Sequence, residues 1–368
     1  MKTNKKKIAI FIPSLIFGGV EQMMRSLAVG FSIHGYEVEV ILRGEVKEIT
    51  SRLPSGVKIT YLKASNRLVA PFFLAYHLFF ARPHILISGF VYGNGAIILA
   101  NILAFKPARV IVTEHGASAL RFGYAFKLKT KILTLLLIKI YFLANTIIAV
   151  SKEVAESLSI ISGLPETRIK VIYNPLDLEE IRSECQAASN HPWFKDKNVP
   201  VIVTTCRLHP DKDVPTLLRA FAEIRKDRQA KLIIIGEGKQ RPELEALVKE
   251  LNISGDVDIP GFVENAYAYM AKAAVFAFAS NTEGFGLVLV EAMTCGCQIV
   301  STDTPSGPRE VLDNGKYGKL VPVKDPSALA KAIKEVLDGD IIPKQLLYER
   351  ANDFSMEKAI TQYIDLFE

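Results

Sequence analysis

The sequence predicts an α/β protein made of two Rossmann-like, doubly wound domains. Short apolar runs alternate with helical patterns along the whole chain, which is the signature of parallel βαβ units. The length, 368 residues with 49% hydrophobic content, is twice an ordinary domain and supplies two cores. A break at Asn174-Pro175 is followed by a restart of the same rhythm.

In the first half the strand candidates are Ile8–Ile12, Glu37–Leu42, Lys58–Tyr61, Ile85–Ser88, Val110–Thr113, Thr146–Val150 and Val171–Tyr173. Helical patterns cover Glu21–Gly30 and Asn94–Ala104, and Ser151 is a credible N-cap for a further helix. In the second half, strands are predicted at Val201–Thr205, Lys231–Ile235, Asp256–Ile259, Val275–Ala279 and Ile299–Thr302. Helices are predicted at Thr216–Lys226, Arg241–Leu251, Asn265–Ala273 and Leu287–Met293, with an amphipathic helix at Phe354–Phe367. The expected domains are 1–175, with 354–368 crossing back to it, and 176–353.

The net charge of +6 is unevenly spread. Residues 1–175 carry 22 Lys and Arg against 9 Glu and no Asp, a balance of +13, and the remainder balances at −7. Such a split points to an anionic partner for the first half. The cations are interleaved with apolar runs, as where Lys127, Lys129 and Lys131 lead into Ile132–Ile138. This suits an anionic membrane surface better than a nucleic acid. The apolar stretch 132–150 is interrupted by Lys139 and Asn145, so no spanning helix is expected. Lys5-Lys-Lys7 and the apolar run after it lack a small-residue cleavage site and read as a first strand entering a glycine turn at Gly18-Gly19. The four cysteines show no spacing typical of disulfide frameworks or zinc sites, which suits a reducing, cytoplasmic setting.

The strongest local signal is Asn281-Thr-Glu283-Gly-Phe-Gly286-Leu-Val-Leu-Val-Glu291. A strand runs into a glycine-bearing loop that opens a helix, so the first amides of that helix are available to phosphate oxygens. Glu283 lies in the loop and Glu291 two turns along. The two carboxylates cannot share one proton, and they suit hydroxyl groups on different parts of one extended ligand.

This segment resembles the E-x7-E motif of retaining GT-B glycosyltransferases of family 4. Other parts of that family's pattern occur in order: Pro13 to Glu21 with Gly18-Gly19, Thr113-Glu-His115-Gly116, Val171 to Pro175, Arg207-Leu-His-Pro-Asp-Lys212, Gly236-Glu-Gly238 and Pro260-Gly-Phe-Val263. The resemblance covers essentially the whole chain. It implies a GT-B fold with two domains facing a cleft, and a nucleotide-sugar co-substrate, UDP-linked, with no metal or other cofactor. It implies that Arg207 and Lys212 meet the donor's diphosphate and neutralise the leaving group. Glu291 takes the ribose hydroxyls, and Glu283 with the amides of Gly284, Phe285, Gly286 and Leu287 holds the sugar and its phosphate. Gly18 and Gly19 approach that phosphate, Gly236 and Gly238 belong to nucleotide loops, Val263 meets the base through its backbone, and His115 faces the reacting sugar. Retention is implied, with the leaving phosphate taking the acceptor's proton. Pro305-Ser-Gly307-Pro-Arg-Glu310 resembles a variant among bacterial enzymes that build polysaccharides and lipid-linked oligosaccharides, which implies a glycan or polyprenyl-linked acceptor at the inner face of the cytoplasmic membrane.

Two departures stand out. Asp213 follows Lys212 where many relatives carry Gly or Asn, and Asp211-Lys-Asp213 spells the D-x-D of metal-dependent transferases inside the Arg–Lys loop. Three other functions stay open at this point: a GT-B sugar-nucleotide 2-epimerase, a non-enzymatic sugar-nucleotide binder and a nicotinamide-dependent oxidoreductase. The last is disfavoured because Gly18-Gly19 is not G-x-G-x-x-G and Leu42-Arg43 stands where a ribose-gripping acid is needed.

Overall fold

Strands form where the chain is apolar on both faces, and β1 (Lys7–Ile12) is the type case, with Ile8 to Ile12 almost wholly buried. The computed structural model describes residues 6–13, 18–44, 50, 53–64, 66, 68–116, 128–189, 191–304 and 306–367. Ser14 to Phe17, Lys127 and Pro305, singled out in the sequence, lie outside the described residues, as does the side chain of Lys129. Contacts divide the chain into two units, Met1–Leu176 with Phe354–Glu368, and Asp177–Asp353.

In the first unit β1, β2 (Glu37–Leu42), β3 (Lys58–Tyr61), β4 (Ile85–Gly89), β5 (Arg109–Glu114), β6 (Thr146–Ala149) and β7 (Ile169–Val171) form one sheet in the order β3-β2-β1-β4-β5-β6-β7. Every pairing is parallel. Its described helices up to the break at Asn174-Pro175 are α1 (Gly19–Ile33), α2 (Ala70–Ala81), α3 (Val91–Leu103), α4 (Leu128–Lys139) and α5 (Lys152–Ser162). Ser151 caps α5 by accepting from the Val154 amide at 3.2 Å.

The second unit repeats the plan after α6 (Leu178–Cys185). Strands β8 (Val201–Thr205), β9 (Lys231–Ile235), β10 (Val257–Gly261), β11 (Val275–Phe278), β12 (Gln298–Thr302) and β13 (Lys319–Val321) lie in the order β10-β9-β8-β11-β12-β13, again parallel. Between and after them run α7 (Val214–Asp227), α8 (Arg241–Glu250), α9 (Tyr267–Met270), α10 (Leu287–Thr294), α11 (Pro308–Val311), α12 (Pro326–Leu337) and α13 (Lys344–Ala351). In each sheet the order reverses beside the first strand, between β1 and β4 and between β8 and β11. Open α/β sheets bind ligands at such switch points, past the carboxyl ends of the strands.

The last helix, α14 (Met356–Ile364), belongs to the first unit. The Leu176 amide donates to the Phe354 carbonyl at 3.2 Å and the Met356 amide to that of Leu176 at 2.8 Å. The helix α14 then packs on α1. A Cβ on Gly30 would stand 2.4 Å from Ile360 Cγ1, so glycine is what lets the two helices meet. The Phe31 ring meets those of Tyr363 and Phe367 at 5.9 and 5.4 Å.

Three differences from the sequence reading have physical causes. Helix α2 falls in a run too apolar to show a polar face, and the lysines of α4 are scattered around it rather than gathered on one side, so no amphipathic period marks either. Strand β7 ends at Val171, two residues short of the predicted end, because its ladder with β6 runs from Ile147↔Ile169 to Ala149↔Val171. The helix expected over Asn265–Ala273 shrinks to α9, where the Asn265 side chain takes the Ala268 amide. Among the described residues no helix is long and apolar enough to cross a membrane.

Candidate active site

In the second unit the loop after β8 sets the site. The Cys206 amide donates to the Ile235 carbonyl at 3.0 Å and the Leu208 amide to Glu237 at 2.9 Å, which threads this loop along the end of β9. The carbonyls of Cys206 and Leu208 thereby press on Gly236 and Gly238, where a Cβ would come within 1.9 and 2.1 Å of them. The contact with the arginine loop alone is enough to require glycine at both positions. Arg207 is exposed and, among the described residues, has no ion-pair partner. Lys212 ends a short 3-10 turn and bonds Glu283 Oε1, with the two side chains 22% and 12% exposed.

Asp213 has φ +43°, a left-handed conformation that Gly, Asn and Asp adopt at least cost. Neither aspartate of the D-x-D triplet is idle: Asp211 pairs with His209 at 3.0 Å and Asp213 accepts from Thr216 Oγ1 at 2.8 Å. Among the described residues no group of three or more His, Cys, Asp or Glu side chains is placed to hold a metal ion.

The loop from β11 to α10 lies against the first. The Asn281 amide donates to the Asp211 carbonyl at 2.8 Å, and Ser306 Oγ donates to the Glu283 carbonyl. Phe285 is buried, and Gly307 at φ +85° lets the next loop pass, since a Cβ there would meet the Phe285 carbonyl at 2.4 Å. Gly286, at φ +86°, is the N-cap of α10, so no side chain of the cap covers the first-turn amides beginning with Leu287. Gly284 sits in the same loop, partly exposed. Glu291, on the second turn, lies 3.3 Å from Tyr267 Oη on α9. The Val263 side chain packs beneath β8 and β9. The second unit thus gathers Lys212, Glu283, the start of α10 and the arginine loop at one edge of its sheet.

In the first unit, Gly18 and Gly19 form the uncapped N-terminus of α1, beyond the carboxyl end of β1. Gly18 has φ −159°, extended backbone open to any residue. His115 follows β5 at the same sheet edge. The Thr113 hydroxyl donates its one proton to the Ser88 carbonyl at 3.1 Å, so it accepts from His115 Nε2 at 3.0 Å. The imidazole is therefore the Nε2–H tautomer with a bare Nδ1. Part of the ring surface stays open, yet burial of the ring pushes its pKa down to about 3, and it is neutral at ordinary pH.

Sequence reasoning missed what holds His115 in place. Burial pushes the Glu114 carboxyl up, against donation from the amides of Gly116 and His115 at 3.0 Å and from Tyr141 Oη at 2.9 Å. Asn94 Nδ2 in turn donates to Tyr141 Oη at 2.8 Å and to the Thr113 carbonyl at 2.7 Å. Tyr141 and Asn94 come from separate elements and leave no local motif. Phe90 was missed for the same reason: it holds φ +63° at the end of β4, with its ring 6.4 Å from that of His115. A bulky residue in that conformation stores strain of the kind found at functional sites.

Residues 187–354 match the family model for glycosyl transferases group 1, and residues 17–180 that for glycosyltransferase family 4. The N-acetylgalactosamine-N,N'-diacetylbacillosaminyl-diphospho-undecaprenol 4-alpha-N-acetylgalactosaminyltransferase of Campylobacter jejuni is 33% identical over 92% of this chain and 92% of its own. A second protein of that organism, an alpha-1,4-N-acetyl-D-galactosaminyltransferase acting on a GalNAc-containing diNAcBac-PP-undecaprenol, is 28% identical over 98% of each chain. The Anabaena protein HepE, crystallised with UDP and glucose, superposes with a TM-score of 0.80 at 20% identity over 98% of each chain. With the two parallel sheets, that likeness shows the fold to be GT-B.

Proposed function

The chain belongs to the group 1 glycosyltransferases, and from that premise we propose that it moves a sugar from a UDP-sugar to a hydroxyl of a glycan carried on a polyprenyl diphosphate, with retention and without a metal ion. The observation that carries the acceptor is the Campylobacter relative, alike over nearly the full length of both chains and named for an undecaprenyl-diphosphate acceptor. The reaction then belongs at the inner face of the cytoplasmic membrane. UDP is the nucleotide held by HepE, a protein of the same fold.

The chemistry follows from the groups present. Arg207 meets the diphosphate as a cation with no internal partner among the described residues, and Lys212 holds Glu283 toward the donor sugar while sharing its charge. Glu291 and the first amides of α10 bind ribose and phosphate. As the acceptor oxygen bonds to the anomeric carbon, the bond to the diphosphate breaks and the hydroxyl proton passes to the departing phosphate oxygen. Retention is supported by the state of the candidate bases among the described residues of the first unit: Glu114 is occupied by three donors, Glu21 is buried, and an imidazole with a pKa of about 3 is too weak. Its bare Nδ1 instead accepts from a hydroxyl of the reacting sugars.

The test is transfer from radiolabelled UDP- and GDP-sugars to a lipid-linked diphosphate acceptor, with and without EDTA. Label should move to the acceptor from a UDP-sugar and EDTA should leave the rate unchanged. Loss of activity in EDTA with recovery in manganese contradicts metal independence. Epimerised nucleotide sugar with no transfer would make the chain an epimerase.

A further inference from the structure

The first unit carries an aromatic surface that its own fold leaves uncovered. Helix α2 buries Ala70, Leu74, Ala75 and Leu78 and turns Phe72, Phe73, Tyr76, Phe79 and Phe80 outward, at 42–72% exposure. These five recur at spacings of one, three and four and make one helix face. The rotation of α2 is pinned from the inside, because His77 Nε2 lies 3.1 Å from Glu39 Oε1 on β2. The outward aromatic face is therefore built in.

The surface continues beyond α2. Helix α3 packs against both α2 and α4. Past its end stands Phe105, 83% exposed, with its ring 6.3 Å from that of Phe79. Helix α4 adds Leu133 and Leu136, both more than half exposed. Isolated apolar residues on a surface need no explanation, but a joined face of this kind marks an interaction site.

Charge selects the occupant. Residues 49–152, which contain all three helices, hold 13 Lys and Arg and a single acid, Glu114. Glu114 is only 2% exposed, so its charge does not reach the surface. Arg82 and Lys106 are exposed beside the aromatic face, the Arg82 guanidinium 5.9 Å from the Phe79 ring centre, and Lys131 is exposed on α4. A second copy of the chain would set cation against cation. An anionic bilayer neutralises them while it takes up the rings.

We propose that the first unit docks on an anionic lipid bilayer through the outward faces of α2, α3 and α4, with the aromatic side chains of α2 inserted between lipids and Arg82, Lys106 and Lys131 against the headgroups. The proposal goes beyond the transfer reaction and does not need it. No described helix can span a bilayer, so the chain lies on the membrane through this face.

The experiment is co-sedimentation of the full chain with vesicles of phosphatidylcholine alone and of phosphatidylcholine with phosphatidylglycerol. Binding should require phosphatidylglycerol, and each cation removed by Arg82→Gln, Lys106→Gln or Lys131→Gln should lower it about five-fold. Phe72→Ser/Tyr76→Ser/Phe80→Ser should abolish binding, with circular dichroism and transfer to a soluble acceptor analogue unchanged. A Phe80→Trp variant should gain a blue-shifted emission on phosphatidylglycerol vesicles, after subtraction of wild-type signal. Protein that stays in the supernatant with anionic vesicles overturns the proposal. So does a dimer in gel filtration that the triple variant turns to monomer, since the face would then be covered by a second copy. Transfer activity without vesicle binding sinks this inference alone, and vesicle binding without transfer sinks only the proposed reaction.

Discussion

Lys212 and Glu283 come from loops 71 residues apart, and their coupling is the sharpest test of the site. Unit charges in contact attract by about 4 kcal/mol at an effective dielectric of 20. Most of that is lost to desolvation of two ions that are only 22% and 12% exposed. Lys212→Met leaves the Glu283 carboxylate without its cation and should cost the second unit about 2 kcal/mol. Glu283→Gln leaves an ammonium with more access to water and should cost about 1 kcal/mol. The double variant should lose little more than Lys212→Met alone, a coupling of about 1 kcal/mol. Urea unfolding followed by tryptophan emission isolates the relevant unit, because the one tryptophan of the chain, Trp193, lies in it. The same logic applies to turnover: if Lys212 works by holding Glu283, the two substitutions lower kcat/KM non-additively. Single-variant losses that sum to the double within about 0.3 kcal/mol, in stability and in activity, would refute the pairing.

Glu291→Ala should raise the KM for the donor about ten-fold with little change in kcat, and Glu283→Ala should act chiefly on kcat. Equal effects on KM alone contradict the division of roles. The His115 ring resonance, identified by its loss in His115→Asn, should not move between pH 8 and pH 5, since the pKa is pushed down to about 3. A midpoint near 6.5 would show the ring to be solvated. Glu39 is pushed up by burial but held at about 2 by hydrogen bonds from His77, Thr60 and Lys58. A depressed acid stabilises the fold above its unfolded value of 4.5 and loses that contribution as pH falls toward 2. Glu39→Gln should therefore destabilise the first unit by about 2 kcal/mol at pH 7, and the gap to wild type should narrow below pH 4.5 in denaturant titrations.

Most strands were legible because buried parallel strands are continuous apolar runs; the three-residue, half-buried β13 was not, and the strand order that sets the switch points is a matter of tertiary pairing. The loops that carry Arg207, Glu283 and Glu291 could be picked out because glycine turns between strand and helix are local in sequence. The Lys212–Glu283 contact was not, since the two loops meet only through sheet order. The Glu114–Tyr141–Asn94 support of His115 was illegible for the same reason. Helix α2 escaped because amphipathicity is the sign of a helix between water and core, and this helix is apolar toward both. Glycine at 236 and 238 is demanded by neighbouring carbonyls whatever the loops bind, a packing reason that the sequence does not display.

The return of α14 to the first unit bears on how the protein is made. Ile360, Tyr363, Leu366 and Phe367 complete the cluster that contains Ile8, Met23 and Phe31. A ribosome delivers Phe31 early and its partners only after the whole second unit. Until then the α1 surface around Gly30 and Phe31 is exposed on the nascent chain. The second unit, encoded later, is one continuous segment, Asp177–Asp353, and lacks no part of itself when α14 is made. Vectorial synthesis therefore leaves the amino-terminal unit the last to mature and the one most in need of a chaperone. Removal of residues 354–367 should direct proteolysis to the first unit and spare the second.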